Sequence, residues 1–161
     1  MTYLLLMRHA KADRPAGVAD FDRPLKKRGI RQAAEAAAHL QAAGIIPEVI
    51  LSSAALRALD TARRVADELS PKPPLLEDRA LYAAEPDRII QAARDLLDDH
   101  RCVMLTGHNP EITEAAFQLA PDYPETSHLS TGTVAIFTLE LEPGTRLTAE
   151  SVKGVAVFSP S

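Results

Sequence analysis

Tyr3-Leu4-Leu5-Leu6-Met7-Arg8-His9-Ala10 is the stretch on which the reading of this chain turns. The apolar run from Tyr3 to Met7 predicts a short buried strand, and it stops on a cation and an imidazole placed side by side. Open α/β sheets put their chemistry beyond the carboxyl ends of their strands, which is where Arg8 and His9 fall. A guanidinium holds an oxyanion and an imidazole can attack it, so the pair suits a phosphoryl group if the rest of the chain supplies partners.

Strands and helices alternate after it. The polar stretch Lys11 to Arg23 leads to a helix from about Leu25 or Lys26 to Gln41. Its apolar positions Ile30, Ala33, Ala34, Ala37 and Leu40 recur at helical spacing, and Gly44 marks the stop. Glu48 to Leu51 predicts a second strand. Ser53 reads as the N-cap of a helix reaching Leu69, broken by Pro71, Pro73 and Pro74. Leu75-Leu76 begins a minor strand, Asp87 caps a third helix ending near Asp99, and Arg101 to Thr106 is a third clear strand. Asn109-Pro110-Glu111 reads as a helix start, with an Asn cap, Pro at the first position and an acid in the first turn. Thr133 to Leu141 and Val152 to Phe158 follow with no helix between them and are expected to pair antiparallel. The architecture is therefore an α/β sandwich, its sheet mostly parallel with an antiparallel element near the C-terminus.

Composition narrows the function. At 161 residues the chain is expected to form one domain over 1–161, burying roughly two-thirds of its unfolded surface. The formal charge of −4 and the absence of Trp argue against nucleic acid, which needs a broad basic face and stacking platforms. No segment approaches the roughly 18 apolar residues of a membrane span, and the first apolar run lacks a signal peptide's basic flank. A cytoplasmic location is expected. Cys102, the single cysteine, lies in an apolar run and reads as a buried, inert thiol.

The strand ends carry the argument further. Arg8 and His9 follow the first strand, Arg57 the second and His108 the third. Parallel strands would gather two guanidinium groups and two imidazoles at one sheet edge. Such a cluster repels itself unless an anion sits in it, and two arginine forks with a protonated imidazole match a phosphoryl group. The helix beginning near Asn109 would add backbone N–H groups. No Asp, Glu and His cluster has metal-ligand spacing, so neither metal nor cofactor is expected.

Met7-Arg8-His9-Ala10, the run Ser52-Ser53-Ala54-Ala55-Leu56-Arg57-Ala58-Leu59-Asp60-Thr61-Ala62, and Gly107-His108-Asn109-Pro110 together resemble the defining blocks of the histidine phosphatase, or phosphoglycerate mutase-like, superfamily. The chain's small size, Arg23-Pro24-Leu25 followed by Gly29, and Thr131-Gly132 before a late strand resemble the short phosphohistidine phosphatases of the SixA type. The resemblance implies a three-layer α/β/α sandwich of phosphoglycerate mutase-like fold forming a single histidine phosphatase domain. It implies a nucleophilic His9, with Arg8, Arg57 and His108 binding the phosphoryl oxygens beside Asn109. The implied partner is a phosphohistidine-bearing protein, a phosphotransfer domain or phosphocarrier, or else a small phosphorylated substrate; a monomer is expected.

Three positions depart from the family pattern. Ala10 stands where glycine is common, and Ala54 where proline is. In many phosphomonoesterases of the family a carboxylic acid follows the leucine of a segment like Asp78-Arg79-Ala80-Leu81-Tyr82-Ala83 by two residues; here that place is Ala83. Glu85 is the candidate replacement as proton donor. An alkoxide leaving group gains about 100-fold to 10,000-fold from such a donor, whereas phosphohistidine's imidazole departs neutral once its other nitrogen is protonated. The gap at Ala83 thus favours phosphohistidine. Two alternatives stand beside it: a general small-molecule phosphomonoesterase recruiting Glu85, and a phospho-ligand-binding module without turnover. His39, His100 and His128 carry no motif and read as structural or solvated. Arg63-Arg64 and Lys26-Lys27-Arg28 read as solvated helix faces, either of them able to border the pocket and meet an acidic protein. Ser130 and Thr131 are either phosphate donors or turn residues.

Overall fold

The computed structural model describes residues 1–161. Ten regular elements run in the order β1 (Thr2–Arg8), α1 (Lys27–Ala43), β2 (Val49–Ser53), α2 (Leu56–Glu68), β3 (Leu75–Asp78), α3 (Pro86–Leu96), β4 (Cys102–Gly107), α4 (Glu111–Leu119), β5 (Val134–Leu139) and β6 (Val152–Phe158). They build one six-stranded sheet ordered β3-β2-β4-β1-β5-β6. The first four strands of that order are mutually parallel, while β5 pairs antiparallel with both β1 and β6. The mostly parallel sheet with its antiparallel C-terminal element is as the sequence predicts.

Alternation along β1 explains the layering. Leu4 and Leu6 face one core, with Ile89 and Ala93 of α3 and Ile112 and Ala116 of α4. Leu5 and Met7 face the other, with Ala33, Ala37 and Leu40 of α1 and Val65 of α2. A strand buried on both faces needs no polar alternation, which is why Leu4 to Met7 is an unbroken apolar run with no exposed surface. The three-layer α/β/α sandwich follows. Alanines at Ala33, Ala36, Ala37, Ala62 and Ala66 bring α1 and α2 close to the sheet.

Register then sets the site. Arg8 lies beside Gly107, and Ser52 beside Thr106, so β1, β2 and β4 end together and His9 N–H donates to the Gly107 carbonyl at 3.0 Å.

Helix boundaries differ from the sequence reading for local reasons. Helix α2 starts at Leu56 with Ala55 at its cap position; Ser53, expected as the cap, stays on the strand and accepts the Ala55 N–H at 3.2 Å. Pro86 opens α3 with Glu85 before it, displacing Asp87 into the first turn, and the helix ends at Leu96. Helix α4 starts at Glu111, because Asn109 turns its side chain to the Leu129 carbonyl (2.9 Å) and accepts from Thr113 Oγ1 (2.6 Å) instead of capping. No helix is long and apolar enough to cross a membrane.

Candidate active site

At the carboxyl edge of β1, β2 and β4 lies an open cavity of about 380 Å³, whose walls include Arg8, His9, Arg57, His108 and Asn109. His9 is only 7% exposed. Its Nδ1 donates to the Ala10 carbonyl at 2.8 Å. That bond fixes the tautomer and leaves the lone pair on Nε2. Arg57 Nε, 3.4 Å away, donates toward the same nitrogen. Burial, reinforced by the charges of Arg57 and Arg8 and by His108, pushes His9 down to about 3. The imidazole is therefore neutral at physiological pH, with its nucleophilic nitrogen against a guanidinium.

His108, 7% exposed, follows β4 with its ring centroid 5.2 Å from that of His9. Its Nε2 lies 2.8 Å from Ser53 Oγ, and Nδ1 is buried without a hydrogen-bond partner. Burial, aided by Arg57, pushes His108 down to about 4. The protonated imidazole expected from sequence is thus neutral in this structure, since burial beside cations penalises a further positive charge. Arg8 Nη1 donates to the Leu129 carbonyl at 3.3 Å, and its Nε is buried and unpartnered. Orphaned buried polar groups cost about 1–3 kcal/mol each, and two of the three in this molecule belong to residues that line this cavity.

Arg57, in the first turn of α2, is not the unpaired cation that the sequence suggested. Asp20, from the polar stretch Lys11 to Arg23, takes both terminal nitrogens: Nη1 donates to the Asp20 backbone carbonyl at 2.7 Å and Nη2 to Oδ2 at 3.0 Å. The Nε edge is left turned to His9. Asp20 also accepts from Tyr82 Oη at 2.6 Å and from Arg23 Nη1 at 3.1 Å. Tyr82 first, then Arg23 and Arg57, hold its carboxyl well below the usual range, so it is a carboxylate throughout ordinary pH. Tyr82 packs edge-on against His108, centroids 5.6 Å apart.

Asp20, Tyr82, Ser53 and Thr61 are the residues around this site that sequence reasoning missed. Thr61 Oγ1 accepts the Ala10 N–H at 3.0 Å and donates to the Arg57 carbonyl at 2.6 Å, joining the His9 turn to α2. No local pattern singles out Asp20 from Asp13 or Asp22, and Thr61 and Ser53 read as ordinary helix and cap residues. Glu85 is not brought in: it is exposed before α3 and absent from the cavity walls. Thr131 lines the cavity, whereas Ser130 Oγ is tied to Thr133 Oγ1 at 2.8 Å. His39 stacks on Phe158. Cys102 is buried, and burial pushes its thiol up to about 12.

Residues 4–85 match the family model of the histidine phosphatase superfamily (branch 1). An uncharacterized protein of Mycobacterium tuberculosis is 35% identical over 114 residues, covering 71% of this chain and 70% of that protein. Among solved structures, SixA of Agrobacterium tumefaciens is 25% identical with a TM-score of 0.78, over 86% of this chain and 92% of that one. A protein histidine phosphatase SixA complexed with tungstate matches over 98% and 97% of the two chains, with TM-score 0.81 and 22% identity. The chain belongs to the histidine phosphatase superfamily, and its fold is similar to that of SixA.

Proposed function

We propose that this hydrolase removes the phosphoryl group from phosphohistidine on a protein partner, through a covalent intermediate on His9. One observation carries the reading: a buried, neutral His9 whose Nδ1–H is held by the Ala10 carbonyl, so that Nε2 presents its lone pair beside Arg57 Nε. In the first step Nε2 attacks phosphorus and the substrate's P–N bond breaks. The bonding pair leaves on the substrate imidazole, which departs neutral because its other nitrogen carries a proton. The phosphorylated His9 ring is cationic, and the Ala10 carbonyl stabilises it through the Nδ1–H. Water then attacks phosphorus, the P–Nε2 bond breaks, and phosphate leaves as the water's proton passes to phosphate or solvent. Arg8, the Nε edge of Arg57 and His108 bind the phosphoryl oxygens as charge moves onto them, and Asn109 holds the Leu129 turn behind Arg8. Splitting the displacement in two lowers each barrier.

The substrate preference rests on proton supply. The carboxylates on the cavity wall are Asp13 and Asp20, and Asp20 is held ionised by Tyr82, Arg23 and Arg57. An alkoxide would have only Asp13 on the cavity wall to draw a proton from; a phosphohistidine imidazole needs no such donor. The test incubates wild type and His9→Ala with a phosphohistidine protein, a chromogenic aryl phosphate and an alkyl phosphate. The expected result is phosphate release from the protein, abolished by His9→Ala. Faster turnover of the alkyl monoester than of phosphohistidine overturns the reading.

A further inference from the structure

We propose that the outer part of the cavity, bordered by Lys11, Arg14 and Lys26, is a second anion site that receives acidic side chains flanking the phosphohistidine on the partner protein. The proposal rests on the phosphohistidine reading above and adds what the partner must carry beside its phosphoryl group.

The charge of the cavity is the first ground. Arg8, Lys11, Arg14, Arg23, Lys26 and Arg57 line it, against only Asp13 and Asp20, in a chain whose net charge is −4. Asp20 is spent on Arg23 and Arg57. Asp13 Oδ1 accepts a backbone N–H from Arg14. Lys11, Arg14 and Lys26 enter none of the molecule's ion pairs. Arg8 and the Nε edge of Arg57 face the reacting phosphoryl group, so three cations are left for a second anion.

The scaffold is the second ground. Ala12 and Leu25 form an antiparallel bridge, with Asp13 N–H donating to the Pro24 carbonyl at 2.8 Å and Lys26 N–H to the Lys11 carbonyl at 2.9 Å. This places Lys11 directly across from Lys26, and like charges opposite each other destabilise a strand pair. The backbone is nonetheless pinned there. Lys11 N–H donates to Gln32 Oε1 at 2.9 Å, and Gly29 packs so close that a Cβ would meet the Lys11 carbonyl oxygen at 2.2 Å. A fold that fixes two lysines against their own repulsion at the mouth of a phosphoryl pocket is arranged for an anion between them.

Shape and lining select the ligand. A phosphoryl group, with four heavy atoms, fills a small part of about 380 Å³. Ala12 is the sole hydrophobic residue on the walls, so nothing there grips an apolar leaving group. Small-molecule sites enclose most of their ligand, whereas Arg14 and Lys26 are exposed at the rim, and Lys27 and Arg28, next along the chain, are exposed as well. A rim of this form meets a protein surface, and electrostatic complementarity of this kind also speeds encounter.

The experiment compares two phosphohistidine peptides, one with Asp and Glu beside the phosphohistidine and one with Asn and Gln. Wild type should prefer the acidic peptide by about tenfold in kcat/KM, through KM, with the preference shrinking in high salt. The Lys11→Gln/Lys26→Gln double variant should lose that preference, and Lys11→Arg/Lys26→Arg should restore it. Binding of both peptides to His9→Ala reads the same preference without turnover, so failure of the phosphatase reading is told apart from failure of this one. Equal handling of the two peptides by wild type, or a preference that survives in the double glutamine variant, overturns the proposal. So does a small phosphate monoester bearing a carboxylate that depends on Lys11 and Lys26 more strongly than the acidic peptide does.

Discussion

Replacing Asp20 by asparagine should lower kcat without raising KM. The side chain keeps its shape and one acceptor oxygen but loses its charge. Oδ2 now serves Arg57 at 3.0 Å and Tyr82 at 2.6 Å, and Oδ1 serves Arg23 at 3.1 Å. An amide can serve the first pair through its oxygen, but its NH₂ then faces the Arg23 guanidinium, donor against donor. Asp20 is 49% exposed, so the lost ion pairs are those of a solvated surface, about 0–1 kcal/mol each, and the fold should survive with about 1 kcal/mol less stability. The backbone contact from Arg57 Nη1 to the Asp20 carbonyl remains, so Arg57 is loosened and not removed. Outright loss of a preorganised donor costs about 100-fold to 1000-fold; a loosened one should cost about tenfold in kcat, or about 1.4 kcal/mol. A negative charge also leaves the cavity wall, and at about 4 Å in water such a charge is worth about 1 kcal/mol, so KM should stay level or fall by up to about fivefold. Steady-state phosphate release from a phosphohistidine protein, with thermal melts alongside, reads both numbers. An unchanged kcat, or a higher KM at constant kcat, refutes the view that Asp20 orients the Arg57 edge.

The remaining predictions follow from the same geometry. Thr61→Val leaves the Ala10 N–H without its acceptor and should cost about 1–3 kcal/mol, lowering the melting temperature by roughly 2–12 °C and cutting kcat; an unchanged melt and rate would show that Thr61 ties nothing together. Gly29→Ala forces a methyl into the Lys11 carbonyl, which a Cβ would meet at 2.2 Å, and should destabilise by about 1–3 kcal/mol in denaturant titration, with no loss meaning that the close approach is dispensable. NMR of ring-labelled histidine should show His9 and His108 neutral down to about pH 5, since burial holds them at about 3 and about 4; titration near 6.5 contradicts this. Because the unfolded chain takes up those protons from about 6.5 downward and the folded protein does so only near 4 and 3, stability contributed by these histidines should fall as pH drops from 6.5 to 4.

The fold was legible because the signals were local and periodic. An unbroken apolar run at Leu4–Met7 can only be a strand covered on both faces, and the helical spacing in α1 points its alanines inward. Arg8, His9, Arg57 and His108 were legible for a different reason: Arg8, His9 and His108 sit at or just past a strand end and Arg57 in the first turn of the helix after β2, and parallel register brings strand ends together. Asp20 was not, because its place depends on how a 13-residue polar stretch from Lys11 to Arg23 folds over the sheet edge, which no periodicity governs. Thr61 and Ser53 were hidden in helix and cap patterns whose ordinary reading already explained a hydroxyl. The neutral state of His108 also escaped, since it depends on burial that only the packed molecule supplies. Glu85 illustrates the converse. It lies two residues from Ala83, but its place, exposed ahead of Pro86 and off the cavity wall, follows from where α3 begins.

The most direct test of the central claim is to mix the protein with a radiolabelled phosphohistidine protein, quench in alkali and map the label by mass spectrometry. A transient phosphoryl group on His9, stable in alkali, labile in acid and absent from His9→Ala, is the predicted result. Phosphate release with no label on His9, or release undiminished in His9→Ala, would contradict it.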